Sequence, residues 1–144
     1  MKVVVQRVKS SSCKVEDKII GKTEKGLMLL VGFTEGDNES TIDWMVNKVT
    51  NLRIFDDDNG VMNKSVKDIN GTILSISQFT LYGDAKKGNR PTYIKALGGD
   101  RATILYDLFN KKLNEVIHTE TGLFGADMEI SLINDGPITI IIEK

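Results

Sequence analysis

The chain has 144 residues, 40% hydrophobic and 27% charged, the make-up of an ordinary soluble domain and a length that suits one unit over residues 1–144. Its 19 Lys and Arg stand against 20 Asp and Glu, a net charge of −1, so no global positive field advertises nucleic acid and any RNA contact has to be local. The lone cysteine, Cys13, excludes an internal disulfide and fits a reducing cytosol. No apolar run suits a signal peptide or approaches the roughly 18 residues of a membrane span.

Val3 to Val8 reads as a buried first strand with Gln6 and Arg7 as its polar members. Arg7 is either a solvated strand residue or a forked donor fixing a nearby carbonyl or carboxylate. Cys13 to Glu16 alternates, and Asp17-Lys18 turns the chain into Ile19-Ile20-Gly21, a hairpin. Gly26 to Phe33 is an apolar run bounded by glycine, the pattern of a strand buried on both faces. Asp37 to Ser40 supplies cap residues for a helix whose apolar stripe is Ile42, Met45, Val46 and Val49, with Trp44 off the stripe. Arg53-Ile54-Phe55 suggests a short strand ended by Asp56-Asp57-Asp58-Asn59-Gly60. Counted from Asp56, Gly60 is fifth and Lys67 twelfth, so the calcium-loop template fails and the stretch reads as an exposed turn.

Gly71 to Leu81 gives the strongest strand signal of the middle region. It runs into a segment from Asp84 to Arg101 with five basic and two acidic residues, a local excess of three positive charges. Glycine, proline and Tyr93 interleaved with Lys86, Lys87 and Arg90 suit either a solvated loop or a phosphate and base platform. Asp100 is placed to cap a second helix with an apolar face of Leu105, Leu108, Phe109, Leu113 and Val116. His118 follows it, a surface position rather than a catalytic one. Thr121 to Asp127 is a glycine-punctuated loop. Met128 to Leu132 then alternates as a strand, and Ile138 to Ile142 resumes a β-branched run. Between them, Asn134-Asp135-Gly136-Pro137 reads as a turn or sharp bend separating two strands, because proline cannot donate to a sheet ladder. The order argues an α+β fold, a single domain of antiparallel sheets, barrel-like, with two amphipathic helices.

One histidine and one cysteine, far apart, make a Ser-His-Asp or Cys-His device untenable, and no cluster offers a metal site. What remains is a set of hydroxyls (Ser77, Thr80), an amide (Gln78) and backbone N–H groups where a strand ends. Such resources suit hydrolysis of an already activated ester, which needs oxyanion stabilisation but no powerful protein nucleophile. No cofactor is called for.

Ser77-Gln78-Phe79-Thr80-Leu81 and Asn134-Asp135-Gly136-Pro137-Ile138-Thr139 resemble the two signature motifs of the D-aminoacyl-tRNA deacylases. The likeness runs the whole length, through Gln6-Arg7-Val8, Arg53-Ile54-Phe55, Met62-Asn63, Lys87 to Pro91 and Thr121 to Met128. Departures are small: Ser11 stands where the family often has alanine, with a slight effect expected on the seating of Arg7, and Leu123 varies within its motif. The resemblance implies a cytoplasmic homodimer that hydrolyses the ester joining a D-amino acid to the 3′ end of tRNA, a chiral proofreading step. Achiral glycine is expected to be accepted too. It implies a cis Gly136–Pro137 bond projecting into the partner subunit's site, where its carbonyl oxygens hold the chiral centre and reject an L side chain. Amides around Phe79 and Thr80 are expected to serve as oxyanion donors, with Ser77 beside them, Gln78 orienting substrate and Thr80 positioning it. The same likeness assigns substrate contacts to Gly136, Pro137, Asn134 and Thr139, braces the bend with Arg7, and brings the acceptor end of tRNA to Lys86, Lys87, Arg90 and Tyr93. Two alternatives stay open: a freestanding relative of the archaeal threonyl-tRNA synthetase editing domain that removes L-Ser, and a non-catalytic RNA-binding module on the same fold.

Overall fold

A computed structural model describes residues Met1–Lys144 in eight strands and two helices. These are β1 (Lys2–Val15), β2 (Lys18–Thr23), β3 (Gly26–Gly32), α1 (Glu39–Thr50), β4 (Phe55–Asp56), β5 (Met62–Lys64), β6 (Thr72–Ser77), α2 (Gly99–Asn114), β7 (Thr119–Thr121) and β8 (Glu129–Glu143). A 3-10 turn, Phe79–Tyr82, follows β6.

β1 is the spine. The polar Ser10 to Ser12 segment does not interrupt it: the strand runs unbroken for 14 residues. Its first half pairs with β3 on one edge, its second half with β2, and its other edge carries β8 along most of its length. Buried serine survives there because Ser11 Oγ lies 2.6 Å from the Thr23 hydroxyl on β2. Ser11 therefore serves the β1–β2 pairing. The β1–β2 hairpin turns at Glu16 and Asp17, both at positive φ.

The main sheet has the order β2-β1-β3-β6-β7 with β8 added to β1. It curls until β2 lies beside β6 and β7, giving a nearly closed barrel. At that closure a Cβ on Gly21 would sit 3.0 Å from the Thr121 carbonyl, a close approach that leaves space for hydrogen only. The sheet is mixed rather than wholly antiparallel: β3–β6 and β6–β7 are parallel. The cause lies in the connections, since α1 with the β4–β5 hairpin bridges the first pair and α2 the second, and parallel neighbours need such crossovers.

β3 is buried on both faces, as its unbroken apolar run predicts. Leu27, Leu29 and Val31 face the main core with Val3, Val5, Ile73 and both helices, whereas Met28 joins Val8, Cys13, Leu74 and Ile76 in a second cluster. In α1 the stripe Ile42, Met45, Val46 and Val49 is buried as expected. Asn38 is its cap, accepting from the amides of Ser40 and Thr41. Asp37 instead holds the Met1 ammonium at 2.6 Å. Trp44 is half-buried beneath the ammonium groups of Lys48 and Lys144.

α2 departs from expectation at both ends. Its N-cap is Gly98, with Asp100 already in the first turn, where its charge still complements the helix dipole. The buried face is Ala102, Tyr106, Phe109 and Leu113, with Leu105 and Leu108 partly buried against the core as anticipated, and Val116 is 48% exposed beyond the helix end. Only Phe55 of the Arg53-Ile54-Phe55 stretch enters a strand. The Ile54 carbonyl is taken by Arg7, and the Arg53 guanidinium donates to Asn63 O. The Asp56–Gly60 turn is exposed, tied by the Asp57 carboxylate accepting from Asn59 and Val61 amides, with Gly60 at φ +75°.

No helix is long and apolar enough to cross a membrane.

Candidate functional site

A cleft of about 350 Å³ opens where the parallel strands β3 and β6 reach their C-terminal ends. One wall is Ser77, Gln78 and Phe79; the floor is Val31 to Phe33; the opposite wall is the loop from Phe124 to Met128. Ala102 of α2 and Leu97 close the back. The lining is largely apolar, with few polar groups fixed at the rim, the usual make-up of a small-molecule site.

The strand reading of Gly71 to Leu81 holds only as far as Ser77. Gln78 N–H makes the last sheet-like bond, to the Val31 carbonyl at 2.7 Å. The chain then coils into the 3-10 turn. A turn of this kind leaves its first amides without partners, and the N–H groups of Phe79 and Thr80 indeed have no acceptor in the chain. Gly32 makes the turn's close approach possible: a Cβ there would lie 3.0 Å from Gln78 O and 3.3 Å from Leu81 Cβ.

The Gln78 side-chain amide donates to the Thr80 hydroxyl. No carboxylate, imidazole or amine touches that hydroxyl, so nothing is in place to deprotonate it. Beneath the turn Tyr82 is buried, and Lys2 Nζ sits 4.8 Å above its ring while donating to Leu81 O at 3.4 Å. Burial, reinforced by the charges of Asp37 and Glu143, pushes the Tyr82 phenol well up, so it stays neutral.

The second signature stretch lies elsewhere. Asn134 to Thr139 is not a turn between two strands but a bulge inside the single strand β8. Between the pairs Gln6–Thr139 and Val8–Asn134, β8 spends four residues where β1 spends only Arg7. Proline is tolerated because the surplus residues leave the ladder. The Gly136–Pro137 peptide bond is cis, and Gly136 has φ +122°.

Arg7 braces this loop from below. Its Nε donates to the Asp135 carbonyl at 3.3 Å and lies 3.2 Å from the Asp135 carboxylate, while Nη1 donates to Ile54 O at 2.7 Å. Asp56 is 3.7 Å away. Only 8% of Arg7 is exposed, so the forked-donor reading is the correct one. Asn134 clamps the loop from within, donating to the Thr139 hydroxyl and accepting from the Ile138 amide. Gly136 and Pro137 are left exposed at its tip.

The structure therefore groups the sequence-predicted residues into two sets. Ser77, Gln78, Phe79 and Thr80 form the turn at the cleft; Arg7, Asn134, Gly136, Pro137 and Thr139 form the bulge, and no residue of 134–139 lines the cleft of its own chain. Of the basic loop, Tyr93 packs edge-on against Phe79 with ring centroids 5.2 Å apart, beside the cleft. Lys86, Lys87 and Arg90 are exposed and make no ion pair. The loop is pinned by backbone bonds between Asp84 and Thr92 and from Leu97 to the Phe33 carbonyl. His118 is exposed beside Glu120, away from the cleft.

Leu97, Ala102, Phe124 and Met128 were not among the site residues anticipated. The glycine-punctuated Thr121–Asp127 loop was the available signal for the last two. Leu97 and Ala102 carry none, since neither belongs to a motif.

Residues 4–143 match the family described as D-Tyr-tRNA(Tyr) deacylase. Among solved structures, the c-Myc DNA Unwinding Element Binding Protein shares 37% sequence identity and superposes with a TM-score of 0.94, over 100% of this chain and 99% of that one. A probable eukaryotic D-amino acid tRNA deacylase, at 17% identity, shares the fold with a TM-score of 0.85 over 98% of this chain and 97% of the other. With a motif-bearing turn at a cleft, no nucleophile-base pair, and a family match over nearly the whole length, the chain belongs to the D-Tyr-tRNA deacylase family, hydrolases of the ester bond in D-aminoacyl-tRNA.

Proposed function

We propose that the Gln78–Thr80 turn is the hydrolytic segment and that the Gly136–Pro137 tip selects the substrate across a homodimer. The observation that carries the first half is the pair of acceptor-free amides at Phe79, which lines the cleft, and at Thr80 next to it. Water adds to the ester carbonyl, and negative charge builds on its oxygen. Fixed N–H donors aimed there are worth of order 10²–10³ in rate each. The bond to the ribose 3′-oxygen then breaks, and that oxygen takes up a proton. The neighbouring 2′-hydroxyl is the nearest group able to relay it, since Thr80 has only the Gln78 amide beside it.

Two observations support the dimer. The bulge does not reach the cleft of its own chain, so a second copy is required to bring tip and turn together. β8 also presents 15 residues with one edge unpaired and with Ile133 and Ile141 56% and 67% exposed, a surface that soluble proteins normally cover. Main-chain oxygens on an internally clamped bend cannot retreat from an L side chain, whereas a D residue, or glycine with no side chain, avoids it. Phe79 and Tyr93 offer aromatic surface at the cleft, and Lys86, Lys87 and Arg90 offer phosphate contacts for the acceptor end of tRNA. Such a substrate fits a cytoplasmic protein.

The deciding experiment incubates D-Tyr-tRNA, L-Tyr-tRNA and Gly-tRNA with the protein and follows ester loss. D-selective loss with L-Tyr-tRNA intact is expected. Release of L-Ser from L-Ser-tRNA in its place supports the editing-domain alternative. Binding of tRNA without any ester loss, carried by the basic loop, supports the non-catalytic one. Sedimentation tests the dimer, and a monomer with full activity refutes the shared site.

Two variants probe the turn. Thr80→Ala is expected to keep kcat within about tenfold of the parent, the loss of one positioning contact; inactivation comparable to deleting the enzyme would show a chemical role for the hydroxyl. Gly32→Ala acts through the Gln78 carbonyl, which must yield a few tenths of an ångström to a Cβ now 3.0 Å away. A fall of about tenfold in kcat is expected with the protein still folded by circular dichroism, because small misplacements of reacting groups are costly.

A further inference from the structure

We propose that Tyr106 is a positioning residue that couples the two walls of the cleft, its hydroxyl setting the end of β6 and its ring setting the Phe124 wall. The inference rests on the reading of Gln78–Thr80 as the hydrolytic segment. Tyr106 sits midway along α2, buried, and its hydroxyl donates to the Ser75 carbonyl at 2.8 Å. The amide of Gly122 donates to the same oxygen at 3.0 Å. From that oxygen the chain has two residues to run to Ser77 and three to Gln78. From Gly122 it is two residues to Phe124, whose ring meets that of Tyr106 with centroids 5.8 Å apart. One tyrosine thus ties together three of the elements that shape the cleft: β6, the Gly122–Met128 loop and α2.

Core filling alone does not account for this side chain. Phenylalanine would occupy the space without burying a hydroxyl, and a buried hydroxyl is unfavourable unless it is bonded. Its bond is also the one hydrogen bond from α2 to β6. Burial pushes the phenol up, so it remains a protonated donor. Ser75 and Asn110 lie buried beside it, so the patch keeps polar groups where an apolar core would be simpler. The loop is held close as well: a Cβ on Gly122 would come within 2.6 Å of the Met128 sulfur and 3.0 Å of Ile76 Cδ1. Any shift of β6 therefore passes into the opposite wall.

The test compares Tyr106→Phe and Phe124→Leu in the full chain. Tyr106→Phe is expected to lower kcat on D-Tyr-tRNA about tenfold with KM changed less than roughly twofold, and to quicken amide hydrogen exchange at both Gln78 and Gly122. Phe124→Leu keeps the hydroxyl bond but relaxes the ring contact, so it is expected to raise KM and to quicken exchange at Gln78 on the far wall. If Tyr106→Phe does not fold, the Gln78 exchange of Phe124→Leu decides alone. Unchanged exchange at Gln78 overturns the coupling. Faster exchange with unchanged kcat makes Tyr106 a merely structural residue and overturns the proposal too. An unmutated chain that hydrolyses no D-aminoacyl ester defeats the underlying functional reading instead, and the exchange measurements still decide whether the walls are coupled.

Discussion

Arg7→Ala is expected to lower stability by roughly 3 kcal/mol, a drop of about 10 °C in Tm for a domain of this size, and to abolish most D/L discrimination. Removing the guanidinium leaves the Ile54 carbonyl buried without its donor and the Asp135 carboxylate without its counter-charge. The three-residue surplus of β8 then rests on Asn134 alone. The partners are only partly buried, Asp135 at 25% and Asp56 at 52% side-chain exposure, which keeps the figure below that of a fully interior pair. Arg7→Lys sharpens the reading. Lysine restores the charge but not the fork that reaches Ile54 and Asp135 together, so stability should return in part and selectivity should not. Thermal denaturation and paired hydrolysis rates on D-Tyr-tRNA and L-Tyr-tRNA measure both. A folded Arg7→Ala protein with the parent's D/L ratio would show that the brace has no part in selection.

Gly136→Ala attacks the same device by adding an atom. At φ +122° an L side chain is strained whatever the space, at about 1–3 kcal/mol. The space is missing as well: the new Cβ would lie 2.8 Å from Ile138 Cγ1, 3.0 Å from the Ile138 amide and 3.4 Å from Arg7 Nη2. Ile138 N–H is the group that Asn134 clamps, so the clamp must give. A displacement approaching 1 Å at a selecting surface is worth about 100-fold, and the D/L ratio is expected to fall by that order. Because the tip is proposed to work in the partner's cleft, mixed dimers give a second readout. A dimer pairing a Gly136→Ala chain with a turn-inactivated chain brings the one normal tip to the one intact turn, and should therefore recover D-selective hydrolysis that neither homodimer shows. A Gly136→Ala homodimer with an unaltered D/L ratio would rule out the tip as the selecting element.

The amino-acid order by itself determined much of this protein. Alternation and unbroken apolar runs mark β3, the Val3–Val8 half of β1 and the stripe of α1, because strands and helices bury faces at fixed periods. The absence of a nucleophile-base pair narrowed the chemistry to positioning and oxyanion stabilisation, and two short motifs carried the family. Periodicity stops short where tertiary partners override it. Ser10 to Ser12 is a polar stretch with no strand period of its own, yet Thr23 on β2 satisfies Ser11 and the strand continues. Phe79 to Leu81 reads as strand, but Val31 supplies the last ladder bond at Gln78 and the chain coils. α2 turned out to bury Tyr106 rather than Val116, since the Ser75 carbonyl gives its hydroxyl a partner. Asn134 to Thr139 reads as a turn, and only the register against β1 reveals four residues opposite one. Which strands run parallel, which loop faces the turn, and that the bulge lies outside its own chain's cleft are settled by contacts between residues distant in sequence. Local patterns specify which face an element buries; they carry no information on what it is buried against.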